Sequence, residues 1–188
     1  MSGPVEIVDY DPLWPAVFEA LRDRLMAALS NGGGAIEHVG STAVPGLAAK
    51  PILDVDVILR ADDDFSAVAA RLEALGYLHE GNLGVAGREA FKAPAGSVPQ
   101  NLYVCLPTGC EHLRHLAFRD YLRSDRAKAA AYADLKKKLA SRFGQDRDAY
   151  AEGKSEFVRV ILEQALKEPK GHLSELRYES EPGFRSLE

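Results

Sequence analysis

Residues 38–58 read HVGSTAVPGLAAKPILDVDVI, and this segment carries most of the information on fold class. A first apolar run ends at Gly40-Ser41, and a second apolar run carries Asp54 and Asp56 at alternate positions. Alternate residues of a strand lie on the same face, so the two carboxylates are predicted to lie side by side. The segment therefore predicts two strands joined by a glycine- and proline-containing turn, with a polar site beside them.

The spacing of apolar residues predicts the remaining elements. Apolar residues at every third or fourth position predict a helix that ends near Leu29 and helices over about 64–75, 111–122, 125–143 and 146–166. Short apolar runs between turns predict strands at 35–39, 52–59, 77–79, 89–93 and 102–106. This order predicts an α/β (α+β) fold, in which a small mixed sheet is flanked by helices and three C-terminal helices pack over one face or end of it.

Length and composition indicate one folded unit. The chain has 188 residues, of which 46% are hydrophobic and 27% charged, as in ordinary globular domains. Helical periodicity is lost near the C-terminus and mixed polar residues follow. We therefore expect a single domain over residues 1–168 and a disordered tail over residues 169–188.

Charge, cysteine content and the lengths of apolar runs argue against several classes of function. The formal net charge of −5 gives no broad basic field, which disfavours a nucleic-acid partner. Cys105 and Cys110 lack the spacing of zinc ligands, and no apolar run approaches the roughly 18 residues of a membrane span. The N-terminus has no signal-peptide pattern, so we expect a cytoplasmic location and no membrane partner.

Asp54 and Asp56 are the first candidate site residues. Two neighbouring carboxylates repel each other, and burying them without compensation costs several kcal/mol per charge. Mg²⁺ suits such a pair because it prefers hard oxygen ligands and completes its coordination with water and phosphate oxygens. The alternative is an edge strand whose aspartates face solvent or pair with Lys50 or an arginine.

The Gly-Ser turn is the second candidate. Backbone N–H groups at Gly40, Ser41 and Thr42 are predicted to form a concavity that binds phosphate. Lys50 lies between this turn and the aspartate strand, where it can neutralise either a phosphate or Asp54. The alternative is that Ser41 and Thr42 cap a helix without binding a ligand.

Basic residues on the C-terminal helices form a third candidate group. Arg119 and Arg123 lie one helical turn apart, and Lys128 and Lys136 form a row that Lys154 on the next helix can extend. Such rows can clamp phosphates or a carboxylate. In the alternative interpretation these cations coat the surface, and for Lys128 and Lys136 that interpretation is favoured.

Several segments together resemble one known family. The match comprises HVGSTAVPGLAAKPILD at residues 38–54, YDPLW at 10–14, FRDYLR at 118–123, YADLK at 132–136 and YAEGK at 150–154. Over about residues 5–166 the chain resembles the GrpB-like family of the nucleotidyltransferase superfamily. The resemblance implies a nucleotidyltransferase-like fold, in which the turn holds nucleotide phosphates and Asp54 and Asp56 hold the metal. It also implies phosphate-binding roles for Arg119, Arg123 and Lys154.

Two functions follow from the resemblance. In the first, the protein transfers a nucleotidyl group from a nucleoside triphosphate to a small-molecule acceptor with Mg²⁺, and Asp54 and Asp56 are catalytic. In the second, it binds a nucleotide or metabolite without catalysis. A link to coenzyme A metabolism is implied because some family members resemble domains joined to dephospho-CoA kinase.

One departure from the family pattern favours the second function. Active nucleotidyltransferases usually present a third carboxylate from a later strand, and the GrpB-like family commonly has His-x-His there. This chain has Asn101-Leu102-Tyr103, which offers no good Mg²⁺ ligand. Retention of both aspartates favours the first function. His112 and His115, at the start of a predicted helix, are interpreted as surface or capping residues.

Overall fold

The computed structural model describes residues 4–29 and 34–167. Within these ranges the helices are α1 (Trp14–Ala28), α2 (Phe65–Ala74), α3 (Glu111–Ser124), α4 (Arg126–Phe143) and α5 (Arg147–Lys167). The strands are β1 (Ile36–Val39), β2 (Leu53–Ile58), β3 (Leu78–Gly81), β4 (Arg88–Lys92) and β5 (Gln100–Cys105). The expected tail over 169–188 lies outside the described residues.

The five strands form one mixed sheet in the order β1-β2-β5-β4-β3. The central pair β2–β5 is parallel, whereas β1–β2, β5–β4 and β4–β3 are antiparallel. The predicted mixed sheet flanked by helices is therefore confirmed. None of the helices within residues 4–29 and 34–167 is long and apolar enough to cross a membrane.

One face of the sheet packs against α1 and α2. Pro15 occupies the first turn of α1, where its missing N–H costs nothing, and the Asp64 carboxylate caps α2 by accepting the Ser66 N–H. Apolar side chains of both helices cover alternate residues of the central strands. These buried side chains are Phe18, Leu21, Leu25, Val68, Leu72, Leu53, Val55, Val57, Leu102 and Val104. Each large side chain stabilises the fold by roughly 1.5–3 kcal/mol through removal from water.

The C-terminal helices form a second apolar cluster with the β1–β2 connection. Val44 and Leu47 from this connection pack among side chains of α3, α4 and α5, including Leu122, Tyr132 and Ile161. Asp125 caps α4 by accepting the Lys128 N–H at 2.9 Å. The predicted C-terminal helical bundle is confirmed, and its docking on the connection places it beside the Gly-Ser turn.

The strand boundaries differ from prediction by one or two residues. β5 begins at Gln100 rather than Leu102, because Gln100 and Asn101 pair with Leu53 and Asp54 of β2. The Gln100 side chain is buried and accepts a hydrogen bond from the Tyr77 hydroxyl at 3.1 Å. At the N-terminus, Val8 forms an isolated antiparallel bridge with Ala49. Apolar periodicity alone carries no signal for either feature.

Candidate active site

Strand register places four polar side chains on one face of the sheet. Asp54 lies opposite Asn101 and Asp56 lies opposite Tyr103 in the parallel β2–β5 pair. Paired and alternate residues share a face, so the prediction that the two aspartates lie side by side is confirmed. β2 lies between β1 and β5, which excludes the alternative of an edge strand.

Asp54 is held between a glycine and an amide. Its Oδ1 accepts a hydrogen bond from Asn101 Nδ2 at 2.7 Å. A Cβ atom at Gly40, whose φ is +67°, would lie 2.1 Å from Asp54 Oδ2, so a larger residue would displace the carboxylate. Burial raises the pKa of Asp54, against the opposing effects of the Asn101 hydrogen bond and the nearby His115.

Asp56 is fully buried and is paired with a histidine from α3. Its Oδ2 accepts a hydrogen bond from His115 Nδ1 at 2.8 Å, while Oδ1 has no hydrogen-bond partner among the described residues. Burial lowers the pKa of His115, but the hydrogen bond and charge of Asp56 outweigh it and the net shift is upward. The interpretation of His115 as a surface or capping residue was wrong, because α3 crosses the sheet and brings it to an aspartate 59 residues away.

A cleft opens beside Asp54. It has a volume of about 250 Å³, and its lining includes Ser41, Lys50, Asp54, Lys136, Arg147 and Lys154. The turn, β2, α4 and α5 each contribute to its wall. Four basic side chains and one carboxylate therefore share a small volume, and this excess of basic groups suits a polyanion.

Lys136 lies deepest among the lysines of this cleft, with 3% of its surface exposed. Its Nζ donates hydrogen bonds to Ser41 Oγ, at 2.8 Å, and to the carbonyl of Ala48. Burial and the charge of Lys154 lower the pKa of Lys136 to about 7. The favoured interpretation of Lys136 as a surface residue was wrong, because α4 packs directly against the Gly-Ser turn.

Lys50 and Lys154 both contact the aromatic ring of Tyr150. Their Nζ atoms are 4.5 and 4.7 Å from the ring centroid of Tyr150. Burial lowers the pKa of both lysines, and the charge of Arg147 acts in the same direction on Lys50. An anion in the cleft would relieve this repulsion.

The structure does not bring the two candidate arginines to the cleft. Arg119 is buried and pairs with Glu37 and Asp120, each at 2.7 Å. Arg123 donates from Nε to the carbonyl of Ala43 at 2.9 Å. Both arginines thereby fasten α3 to β1 and the following turn. Lys128, on the first turn of α4, is half-buried.

The residues offer a limited fit to a metal ion. The part of the chain that the structure describes contains no group of three or more His, Cys, Asp or Glu side chains arranged to hold one. Two carboxylates share a face, however, and the buried Oδ1 of Asp56 lacks a partner within the described ranges. Such a pair fits one Mg²⁺ ion whose remaining ligands come from water and phosphate.

Comparison with known proteins identifies the family. The family model described as "GrpB protein" matches residues 4–164. The chain belongs to the GrpB family. A UPF0157 protein of Pseudomonas aeruginosa is 39% identical over 165 residues, which cover 86% of this chain and 68% of that protein. A UPF0157 protein of Bacillus subtilis is 34% identical over 89% of this chain, which spans about half, 49%, of that relative's length.

Solved structures support the fold assignment for this GrpB-family protein. The crystal structure of the conserved protein GrpB from Enterococcus faecalis has a TM-score of 0.78 at 35% identity, covering 87% of this chain and 98% of that one. The Cid1 poly(U) polymerase with bound MgGTP has a TM-score of 0.52 at 15% identity, covering 72% of this chain and 45% of that one. The second likeness shows the nucleotidyltransferase-like fold alone. A dephospho-CoA kinase of Mycolicibacterium paratuberculosis is 26% identical over 87% of this chain and 46% of its own length.

Proposed function

We propose that this GrpB-family protein binds a nucleoside triphosphate in the cleft and, with Mg²⁺, transfers its nucleotidyl group to a small-molecule acceptor. The observation that carries this proposal is the adjacency of the cationic cleft to the Asp54–Asp56 face of the sheet. A polyanion in the cleft would place its phosphorus atoms beside the carboxylates.

The cleft provides two kinds of phosphate ligand. The first N–H groups of the single 3₁₀ turn at Ser41–Ala43 have no partners inside that turn, and they follow the glycine that contacts Asp54. Lys50 and Lys154 line the same cleft and provide positive charge. Binding would combine backbone positioning with charge neutralisation.

Asp54 and Asp56 are the residues that would hold Mg²⁺. When bound, the ion would stabilise charge that develops on the transferred phosphoryl group. Asn101 orients Asp54 through the bond to Oδ1, and His115 orients Asp56 through the bond to Oδ2. Both aspartates are thus oriented by an amide and an imidazole, and neither contact requires a third carboxylate.

A second candidate function is nucleotide or metabolite binding without transfer. Asn101 occupies the position opposite Asp54 and bonds to it, so a neutral amide replaces the third carboxylate of active nucleotidyltransferases. The similarity to a dephospho-CoA kinase adds coenzyme A precursors to the ligands to be tested.

Titration calorimetry of nucleoside triphosphates, with and without millimolar Mg²⁺, tests the proposed site. We expect Mg²⁺ and nucleotide to bind with positive coupling, each raising the affinity of the other by the same factor. Asp54→Asn should abolish the coupling and keep the fold, because it removes ligand charge at nearly constant shape. Asp23→Asn, on the exposed side of α1, is the matched control. Equal affinities under all conditions would leave the aspartates as a structural pair.

Pyrophosphate release distinguishes transfer from binding alone. In nucleotidyl transfer an acceptor oxygen attacks the α-phosphorus and pyrophosphate leaves, so release should require both Mg²⁺ and an acceptor. Metabolite pools and coenzyme A precursors are the acceptors to supply. Mg²⁺-coupled nucleotide binding without pyrophosphate release in the presence of any acceptor pool would favour the second function. Pyrophosphate release by the Asn101→Asp variant but not by the wild-type chain would show that Asn101 accounts for the missing activity.

A further inference from the structure

Lys136 combines a buried amine with a place in the cleft wall. Its side chain lines the cleft, although 3% of the residue is exposed, and its Nζ has two acceptors, Ser41 Oγ and the Ala48 carbonyl. An ammonium group carries three N–H bonds, whereas a neutral amine carries two. The two acceptors therefore match the two N–H bonds of a neutral amine.

Burial and neighbouring charge favour the neutral amine of Lys136, whereas the Tyr132 ring, whose centroid lies 4.7 Å from Nζ, favours the ammonium. The charged and titratable groups that share the cleft with it are Lys50 from the β1–β2 connection, Asp54 from β2, Arg147, Tyr150 and Lys154 from α5, and Tyr132 from its own helix. Burial and the charge of Lys154 lower the pKa of Lys136 to about 7, while Asp54 acts in the opposite direction. An uncharged amine is a nucleophile, and desolvated lysines are activated in this way.

We propose that Lys136 is a covalent modification site for anionic carbonyl compounds, of which phosphorylated aldehydes are the chemical class that fits best. Lys50 and Lys154, which line the same cleft, would bind the phosphate, and the cleft would hold the carbonyl carbon next to the buried amine. The modification occupies the cleft of the proposed nucleotide site, but it requires neither Mg²⁺ nor nucleotidyl transfer.

The reaction is a condensation without an oxidant or reductant. The Nζ lone pair attacks the carbonyl carbon, and the C=O π electrons move to oxygen, which takes a proton. The resulting carbinolamine loses its oxygen as water, together with the protons released from nitrogen, and a C=N imine forms. Ser41 Oγ, at 2.8 Å from Nζ, is placed to pass protons between nitrogen and oxygen.

Labelling of the full chain with pyridoxal 5′-phosphate, followed by borohydride reduction and peptide mapping, tests this proposal. We expect labelling of Lys136 at pH 7 to exceed that of its exposed neighbours Lys137 and Lys138 by about tenfold or more, because a pKa lowered to about 7 leaves far more neutral amine. Pyridoxal without the phosphate should label Lys136 about tenfold less. Lys136→Arg, which removes the primary amine, should abolish the specific adduct, whereas Lys137→Arg should leave it unchanged.

The outcomes separate this proposal from the nucleotide site. Equal labelling of Lys136, Lys137 and Lys138 in the wild-type chain, or equal labelling by pyridoxal, would overturn it even if Lys136→Arg failed to fold. Nucleoside triphosphate should protect Lys136 from labelling. Specific labelling without such protection would uphold the modification site and count against nucleotide binding. Nucleotide binding without specific labelling of Lys136 would support the nucleotide site and overturn the modification site.

Discussion

Gly40 lies so close to Asp54 that adding a methyl group at Gly40 should displace the Asp54 carboxylate. Gly40→Ala places a Cβ 2.1 Å from Asp54 Oδ2 and adds the strain of a positive φ. The Asp54 side chain would move to avoid the new Cβ, so we expect this variant to lose Mg²⁺-coupled nucleotide binding in calorimetry. The strained backbone should also lower the unfolding free energy by roughly 1–3 kcal/mol.

Gly46→Ala separates strain from contact. Gly46 also has a positive φ, +79°, but a Cβ there would meet nothing within 4 Å. It should show a loss of about 1–2 kcal/mol, from strain alone, with nucleotide binding intact. Equal loss of coupled binding in both variants would contradict the role assigned to the Gly40–Asp54 contact.

His38 gives the fold a pH dependence. Its ring is buried and stacks on Phe18, with centroids 4.6 Å apart. Burial, together with the charges of Arg123 and Arg119, lowers the pKa of His38 to about 4. Below pH 6.5 the His38 ring takes up a proton in the unfolded chain but stays neutral in the folded chain, which favours unfolding. The stabilisation is therefore full above pH 6.5 and is lost as pH falls toward 4.

Urea denaturation at pH 7.5 and 4.5 measures this effect. Between these values wild type should lose about 2–3 kcal/mol more unfolding free energy than His38→Asn, since the variant lacks the titrating ring. Thr42→Val removes the hydrogen-bond partner of His38 Nε2 but keeps the ring buried, so its pH dependence should match wild type. An equal loss in wild type and His38→Asn would show that the ring is not the titrating group.

Attachment of α3 to β1 depends on one buried ion-pair network. Arg119 bonds to Glu37 and Asp120 and also donates to the His38 carbonyl at 3.1 Å. Removing one member of a buried network leaves the others uncompensated, so Arg119→Ala should cost about 3–5 kcal/mol in urea denaturation. Arg114→Ala, on the same helix, removes an exposed i,i+3 pair with Glu111 and should cost less than about 1 kcal/mol. Similar losses would mean that the network contributes little.

Sequence reasoning succeeded for helices and strands because it depends on local periodicity. The positions of the helices, the mixed sheet and the shared face of Asp54 and Asp56 follow from spacings of two to four residues. The missed features are contacts between distant segments. His115 meets Asp56 only because α3 crosses the sheet, and Lys136 is buried only because α4 packs on the Gly-Ser turn. A charged residue in a helix carries no local sign of such burial.

The cleft lies between the two apolar clusters formed by residues 4–29 and 34–167. The first cluster joins the sheet to α1 and α2, and the second joins α3, α4 and α5 to the β1–β2 connection. Ser41 and Asp54 belong to the sheet side, whereas Tyr150 and Lys154 belong to α5. A ligand in the cleft would therefore contact both halves, and binding should stabilise the packing of one against the other.

Ligand stabilisation of the whole fold is measurable by thermal shift and hydrogen exchange. A nucleoside triphosphate with Mg²⁺ at about 100 times its Kd should add about 2.7 kcal/mol to the unfolding free energy by mass action. Since phosphates provide the attraction, the rise in Tm should fall from tri- to mono-phosphate and vanish for the neutral nucleoside. Exchange should slow in α5 as well as in the Gly-Ser turn. Lys154→Gln should reduce both the rise in Tm and the slowing of exchange, whereas exposed Lys137→Gln should change neither. Slowed exchange in only α5 or only the Gly-Ser turn would show that the ligand does not bridge the two clusters.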